Sequence, residues 1–265
     1  MINILRADMY RILRGKGIYI TLAVLLLMNA LVVGPGVVGG INFGNTHGDL
    51  GIEAPTLYFD GVNVVTVLYT RMDNIVFFLL PLIIIVAGAM FTDKTVRNDI
   101  SWGVSRTKLY LSKLALSAVM CVALIVFYMA SGMLMAIIVR GFGGPAPAGH
   151  WQNLFQTVGA QLFIMLGVTS LGVFMALTFK CTSAVVGVYC AFWFVPIMII
   201  TVLSETIDPG FVRLLDFDLM FSINRLGFFS QLETRVILTA LGVGAFYIVV
   251  ATVGGIALFK RAEIK

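Results

Sequence analysis

Charge is scarce in this sequence. Asp, Glu, Lys and Arg make up 12% of its 265 residues, while 60% are hydrophobic. Soluble domains carry about 25% charged residues. A mean hydropathy of +1.01 leaves more apolar surface than one core of this size hides, which excludes a soluble globular chain. The apolar runs are continuous over nearly 20 residues or more. Barrel strands would instead alternate over about ten residues. The expected class is an all-α polytopic membrane protein.

Cysteine and histidine are rare too, at three and two copies. Cys121 and Cys190 lie in apolar runs, and Cys181 lies at a short polar break. None falls in a long loop, so buried thiols are expected and a disulfide framework is not. His47 and His150 stand far apart, and no Cys/His cluster has zinc spacing, so no metal is expected. No Asp, Glu, Lys, Arg or His falls mid-way along a predicted span. That counts against a proton-coupled carrier and an intramembrane protease. A Walker A phosphate loop is also lacking, so the chain is not expected to bind ATP by that route or to be an enzyme.

What is there begins with residues 1–16. Ile2, Leu5, Met9 and Ile12 recur at helical spacing, and Arg6, Arg11, Arg14 and Lys16 supply a basic side. This predicts an amphipathic helix with its apolar face in the headgroup boundary. Six spans follow, over about residues 17–38, 74–90, 114–139, 155–179, 183–202 and 236–259. Within the long loop 39–73, residues 56–70 fit either a short strand or an interfacial helix. Residues 140–152 are too rich in Gly and Pro for helix or strand. Residues 204–233 open on a turn at Ile207-Asp208-Pro209-Gly210. They then mix Phe and Leu with Asp and Arg, which fits interfacial or re-entrant helices.

Between spans 2 and 3 lies FTDKTVRNDISWGVSRTKLYLSK, residues 91–113. Lys94, Arg97, Arg106, Lys108 and Lys113 oppose only Asp93 and Asp99 there. Thr92 or Asp93 caps a short helix that stops near Gly103, and Ser105 caps the next one. With both termini inside, the inner segments hold thirteen of the 18 Lys and Arg, and the outer loops hold five. The positive-inside rule therefore places termini and this loop in the cytoplasm. The basic balance is a topology signal that requires no nucleic-acid partner. Within the spans, Asn29, Tyr128, Ser131, Gln161, Thr169, Ser170 and Tyr189 are polar. Interhelical hydrogen bonding and the lining of a substrate path are both open to them. Gly167, Gly172, Gly242 and Gly244 would let helices approach closely.

The chain resembles, over its full length, a transmembrane permease of the type-2 ABC exporter family. The local signature is Phe91, the turn Arg97-Asn98-Asp99, Gly103, Ser105-Arg106, Tyr110 and Lys113, with the ending LFKRAEIK. Asn98 stands where Gly is common in the family, and Lys94 where Glu is common. The resemblance implies that residues 91–113 form a coupling helix seated in a groove of a separate ATPase subunit. Asp93, Arg97, Asp99, Trp102 and Arg106 would carry that contact. Basic flanks that anchor to anionic lipid are the plainer reading of Arg97, Arg106 and Lys113. The N-terminal helix is similar to the family's connecting helix.

The working unit implied is two permeases, identical or paralogous, with two ATPase subunits that bind ATP and Mg. No cofactor is implied in this chain. The outline is most similar to permeases of the bacitracin and lantibiotic immunity type and to peptide exporters. Sodium-efflux and copper-site-maturation permeases have similar outlines. The implied place is a bacterial plasma membrane, with lipid and an amphipathic peptide as partners and Asn29, Tyr128, Gln161 and Tyr189 as candidates for the cargo path. A peptide-sensing scaffold that uses the same ATPase contact, a permease for an ion or lipid-like cargo, and a stand-alone secondary transporter are the alternatives.

Overall fold

A computed structural model describes residues 2–33, 60–92, 103–146, 148–228 and 234–261. Among them there is no strand. The helices are α1 (Ile2–Arg14), α2 (Lys16–Val33), α3 (Val64–Thr70), α4 (Ile75–Ile83) and α5 (Ala89–Thr92). They continue as α6 (Arg106–Arg140), α7 (His150–Phe179), α8 (Thr182–Thr206), α9 (Leu219–Phe228) and α10 (Thr234–Arg261). A hydrocarbon core about 30 Å thick leaves no water for backbone amides, so apolar runs of this length satisfy their own polar groups as helix.

Helices α2, α6, α7, α8 and α10 are each long and apolar enough to cross a membrane. Their outer faces carry exposed Leu27, Val126, Leu134, Met198, Ile199, Phe246 and Val253. In water such faces would aggregate; in a bilayer they are solvated. The chain is an all-α, multi-pass membrane protein.

Helix α7 is the centre. Its most apolar stretch is 67% buried, against 17% for α8. It packs along α10 and also touches α6, α8 and α9. Close approach is possible because Gly167 faces Gly244, where an added Cβ would lie 3.2 Å from the Gly244 carbonyl oxygen. Two residues, Lys180 and Cys181, join α7 to α8, and Lys180 turns the chain in the left-handed region at φ 56°.

The second apolar run departs from the expected simple span over 74–90. Helix α3 meets a 3-10 turn at Met72–Asn74, and the axis bends by 53° into α4. A π turn at Ile84–Gly88 then follows Pro81. Proline lacks the amide that would bond to the fourth residue before it. Of the segment 56–70, residues 64–70 are helix, with Val64, Val67 and Leu68 buried. Between α8 and α10, a 3-10 helix at Pro209–Phe217 exposes Phe217, whereas α9 buries Leu219, Ile223 and Leu226.

Helix α6 has 35 residues and so is roughly 50 Å long. That exceeds the hydrocarbon core by several turns. Ser105 caps it as expected, its Oγ accepting the Lys108 amide at 3.4 Å. At the far end, Gly141 at φ 82° closes the helix by donating to the Ile137 carbonyl.

Candidate functional site

The start of α6 is where separate elements are tied together; this end of the bundle is called the base. Lys113 sits two turns into α6 and is only 2% exposed. Its Nζ lies 2.6 Å from Oδ2 of Asp8 on α1. Arg11 stands 3.6 Å from the other oxygen of the same carboxylate. An ammonium removed from water costs several kcal/mol unless a partner repays it at close range. Asp8 is that partner, so α1 is fixed against α6 by charge as well as by packing.

The apolar stripe of α1 completes the dock. Ile12 is in the protein core, and Leu5 and Met9 pack against it. Leu5, Met9 and Ile12, expected to enter the headgroup boundary, are therefore turned onto the protein. Asp8 lies on that stripe, one residue before Met9 and four before Ile12. A carboxylate on an apolar face was the readable sign of a buried pair. Residues 105 apart carry no pattern that names the partner.

Arg106 and Tyr110 tie α6 to α10. Arg106 donates from NH1 to the Lys260 carbonyl at 2.7 Å. That satisfies a carbonyl in the last turn of α10, where cations are favoured. One turn further in, the Tyr110 hydroxyl donates to the Ala251 carbonyl at 2.9 Å. The base of α6 is thus a junction with α1 on one side and α10 on the other. Of the residues implied to contact an ATPase, Arg106 belongs to this junction. Asp93, Arg97, Asp99 and Trp102 lie outside the described residues.

The four candidates for a cargo path are buried and directed at protein acceptors. The Asn29 amide donates to the Tyr128 carbonyl and, at 2.7 Å, to Ser131 Oγ. The Tyr128 hydroxyl reaches the Leu68 carbonyl at 3.3 Å, and that of Tyr189 reaches Val76 at 2.8 Å. Gln161 Nε2 donates to Tyr69 at 2.9 Å and to Ile223 at 3.1 Å, holding α7 to α3 and α9 together. Gln161→Met is expected to destabilise by only about 1 kcal/mol, since interhelical hydrogen bonds average ~0.6 kcal/mol in membranes. The unpartnered Gln161 Oε1 would also disappear. Thermal unfolding in detergent measures this, and a loss several times larger would mean that the amide organises more than these two contacts.

At the end opposite the base, Asp218 caps α9 by accepting the Phe221 amide at 2.8 Å. Burial raises its pKa, opposed by the Phe221 and Met220 amides. Asp216 pairs with Arg225 at 2.7 Å, and Asp60 accepts both Asn63 nitrogens. The cysteine expectation needs one correction. Cys121 is buried, but Cys181 is exposed. It sits at the N-terminus of α8, where the amides of Ala184 and Ser183 lower its thiol pKa.

Residues 60–265 match the family described as Protein of unknown function (DUF2705). The chain belongs to this family. The matched region runs from Asp60, before α3, to the C-terminal residue, and so includes α6 and α10 of the junction. Helix α1, with Asp8, lies before it. No curated protein matches the chain.

Proposed function

We propose that the chain is the transmembrane permease of an ATP-driven exporter of the type-2 ABC class. It would move an amphipathic peptide out of a bacterial plasma membrane, or confer immunity to one. The observation that carries this reading is the base of α6. A helix longer than the hydrocarbon core follows directly on residues 91–105, and its first two turns are bound to both α1 and α10. A push on that loop from a soluble partner would move three elements together, as coupling by rigid-body motion requires.

In this reading α3 to α5 form one bent span, giving six, with both termini cytoplasmic. ATP and Mg bind to two copies of a separate ATPase, and a second permease, identical or paralogous, completes the unit. The internal hydrogen bonds of Asn29, Tyr128, Gln161 and Tyr189 favour a route for cargo between two permeases over one through a single bundle. They also suit the second reading, a scaffold that senses peptide through the same ATPase contact and moves none.

The test is purification of the tagged protein in mild detergent from its native membrane, with mass spectrometry of what accompanies it. A stoichiometric ATP-binding subunit is expected. Arg106→Glu and Trp102→Ala are each expected to weaken that association by about tenfold or more, with membrane insertion unchanged. Wild-type co-purification in both variants would put the contact elsewhere. A clean preparation with no ATPase would favour a secondary transporter.

A further inference from the structure

The two ends of the bundle differ in charge. Among the described residues, the base holds Arg6, Arg11, Arg14, Lys16, Arg106, Lys108, Lys113, Lys180, Lys260 and Arg261 against one acid, Asp8. That acid is already engaged by Lys113 and Arg11. The six other described acids, Asp60, Asp73, Glu205, Asp208, Asp216 and Asp218, belong to the opposite end. Among the described residues, the base therefore carries a net positive charge.

One feature of the base combines that charge with an apolar surface. A shallow, open groove of about 440 Å³ on the surface of α10 is lined by Val253, Ile256 and Ala257 and by the hydrocarbon stems of Lys260 and Arg261. Val253, Ala257 and Lys260 recur at helical spacing, so they form one stripe on the exposed face of α10. The stripe is apolar for its first turns and ends in two exposed cations. From Val253 to Lys260 it runs roughly 10 Å along the axis, the depth of an upper acyl segment below its phosphate. A larger groove on α6, about 650 Å³, is lined by Val119, Val122, Ala123, Val126, Phe127 and Ala130. None of those lining residues is charged, so nothing there selects a headgroup.

We infer that the α10 groove is a binding site for an anionic phospholipid. The acyl chain lies along Val253, Ile256 and Ala257. The phosphate is held by Lys260 and Arg261, as basic residues flanking a membrane helix attract anionic headgroups. The site adjoins the junction, because the Lys260 backbone carbonyl accepts Arg106 while its side chain is exposed. A bound lipid would add negative charge beside the C-terminus of α10 and the start of α6. The inference does not depend on the transport reading.

The experiment is native mass spectrometry of the full chain from nanodiscs of mixed phosphatidylglycerol and phosphatidylcholine. Wild type is expected to retain phosphatidylglycerol selectively. Lys260→Gln with Arg261→Gln leaves the backbone acceptor of Arg106 in place and is expected to lower that retention about tenfold or more. Ala257→Trp, which fills the groove, should lower it comparably. Arg140→Gln with Arg235→Gln, at the opposite end, is the control and should retain the lipid. Equal retention in wild type and the Lys260/Arg261 variant overturns the site. So does equal retention of phosphatidylcholine by wild type. An Ala257→Trp variant that changes oligomeric state but keeps its lipid would make the groove a contact between copies and also overturn it.

Discussion

Lys113→Met is expected to destabilise the folded protein by about 3–5 kcal/mol, the usual cost of breaking a buried ion pair from one side. The cost arises from what remains. Asp8 would stay inside, facing a thioether, with only Arg11 among the described residues, at 3.6 Å, to compensate it. Asp8→Leu is expected to cost a similar amount, because it removes a carboxylate 2.6 Å from an ammonium that is 2% exposed. The double variant Asp8→Leu with Lys113→Met should recover most of the loss, since two apolar groups of similar volume often replace a buried pair at little cost. Thermal unfolding in detergent, with protease accessibility of α1, gives the cycle. Single variants within about 1 kcal/mol of wild type would mean that the pair behaves as a surface salt bridge. Its role as the anchor of α1 would then be wrong.

Gly255→Ala is the second large effect. Gly255 lies on the face of α10 that meets Tyr110, a residue with no exposed surface. A methyl group there would stand 2.6 Å from the ring carbon Cε2 and closer still to Cζ and the hydroxyl oxygen. Neither side can yield easily. The ring is enclosed, and its hydroxyl is held by the Ala251 carbonyl on the same helix. Overpacking of this kind costs about 1–3 kcal/mol, and the displaced hydrogen bond adds roughly 1 kcal/mol. In a Tyr110→Ala background the same substitution should cost almost nothing. Gly242→Ala is the internal control. Nothing lies within 4 Å of its added Cβ, so it should be neutral or stabilising by up to about 1 kcal/mol, as Gly to Ala is in a helix. If Gly255→Ala unfolds at the wild-type temperature, the two helices are not in contact as described.

Sequence was a good guide wherever one segment determines its own structure. The apolar runs from 114, 155, 183 and 236 are helical because their composition leaves the backbone no other partner. Ser105 caps α6 for a reason visible within four residues. Gly167 and Gly244 were identified as close-approach positions, and they face each other. Gly242, singled out on the same grounds, faces open space; residue type alone does not give the direction of a helix face.

What sequence concealed was the identity of partners. The stripe on α1 is apolar whether lipid or protein covers it, and only Asp8 hinted at the second. The bend between α3 and α4 falls on Arg71-Met72-Asp73-Asn74, a polar break that sequence shows, but the 53° angle at which the two helices meet there is not written in those four residues. The polar residues of the spans were legible as polar. Ser131, Thr169 and Ser170 bond carbonyls of their own helix, but which carbonyl Tyr128, Gln161 or Tyr189 reaches depends on helices that lie 60 to 113 residues away in the chain.

The two-residue link at Lys180 and Cys181 has a consequence for how the protein is made. Helices α7 and α8 emerge from the ribosome as 30 and 25 residues with almost nothing between them. No loop is available to separate them, so the two helices must cross the bilayer in opposite directions, and the chain returns at Ile207 to the side it left at Gly149. Helix α7 gains from this order of events. It carries Gln161, Thr169 and Ser170 on surfaces that become buried. Each helix is long and apolar enough to cross by itself, and α8 is at hand beside α7 before α10 has been synthesised to cover the rest.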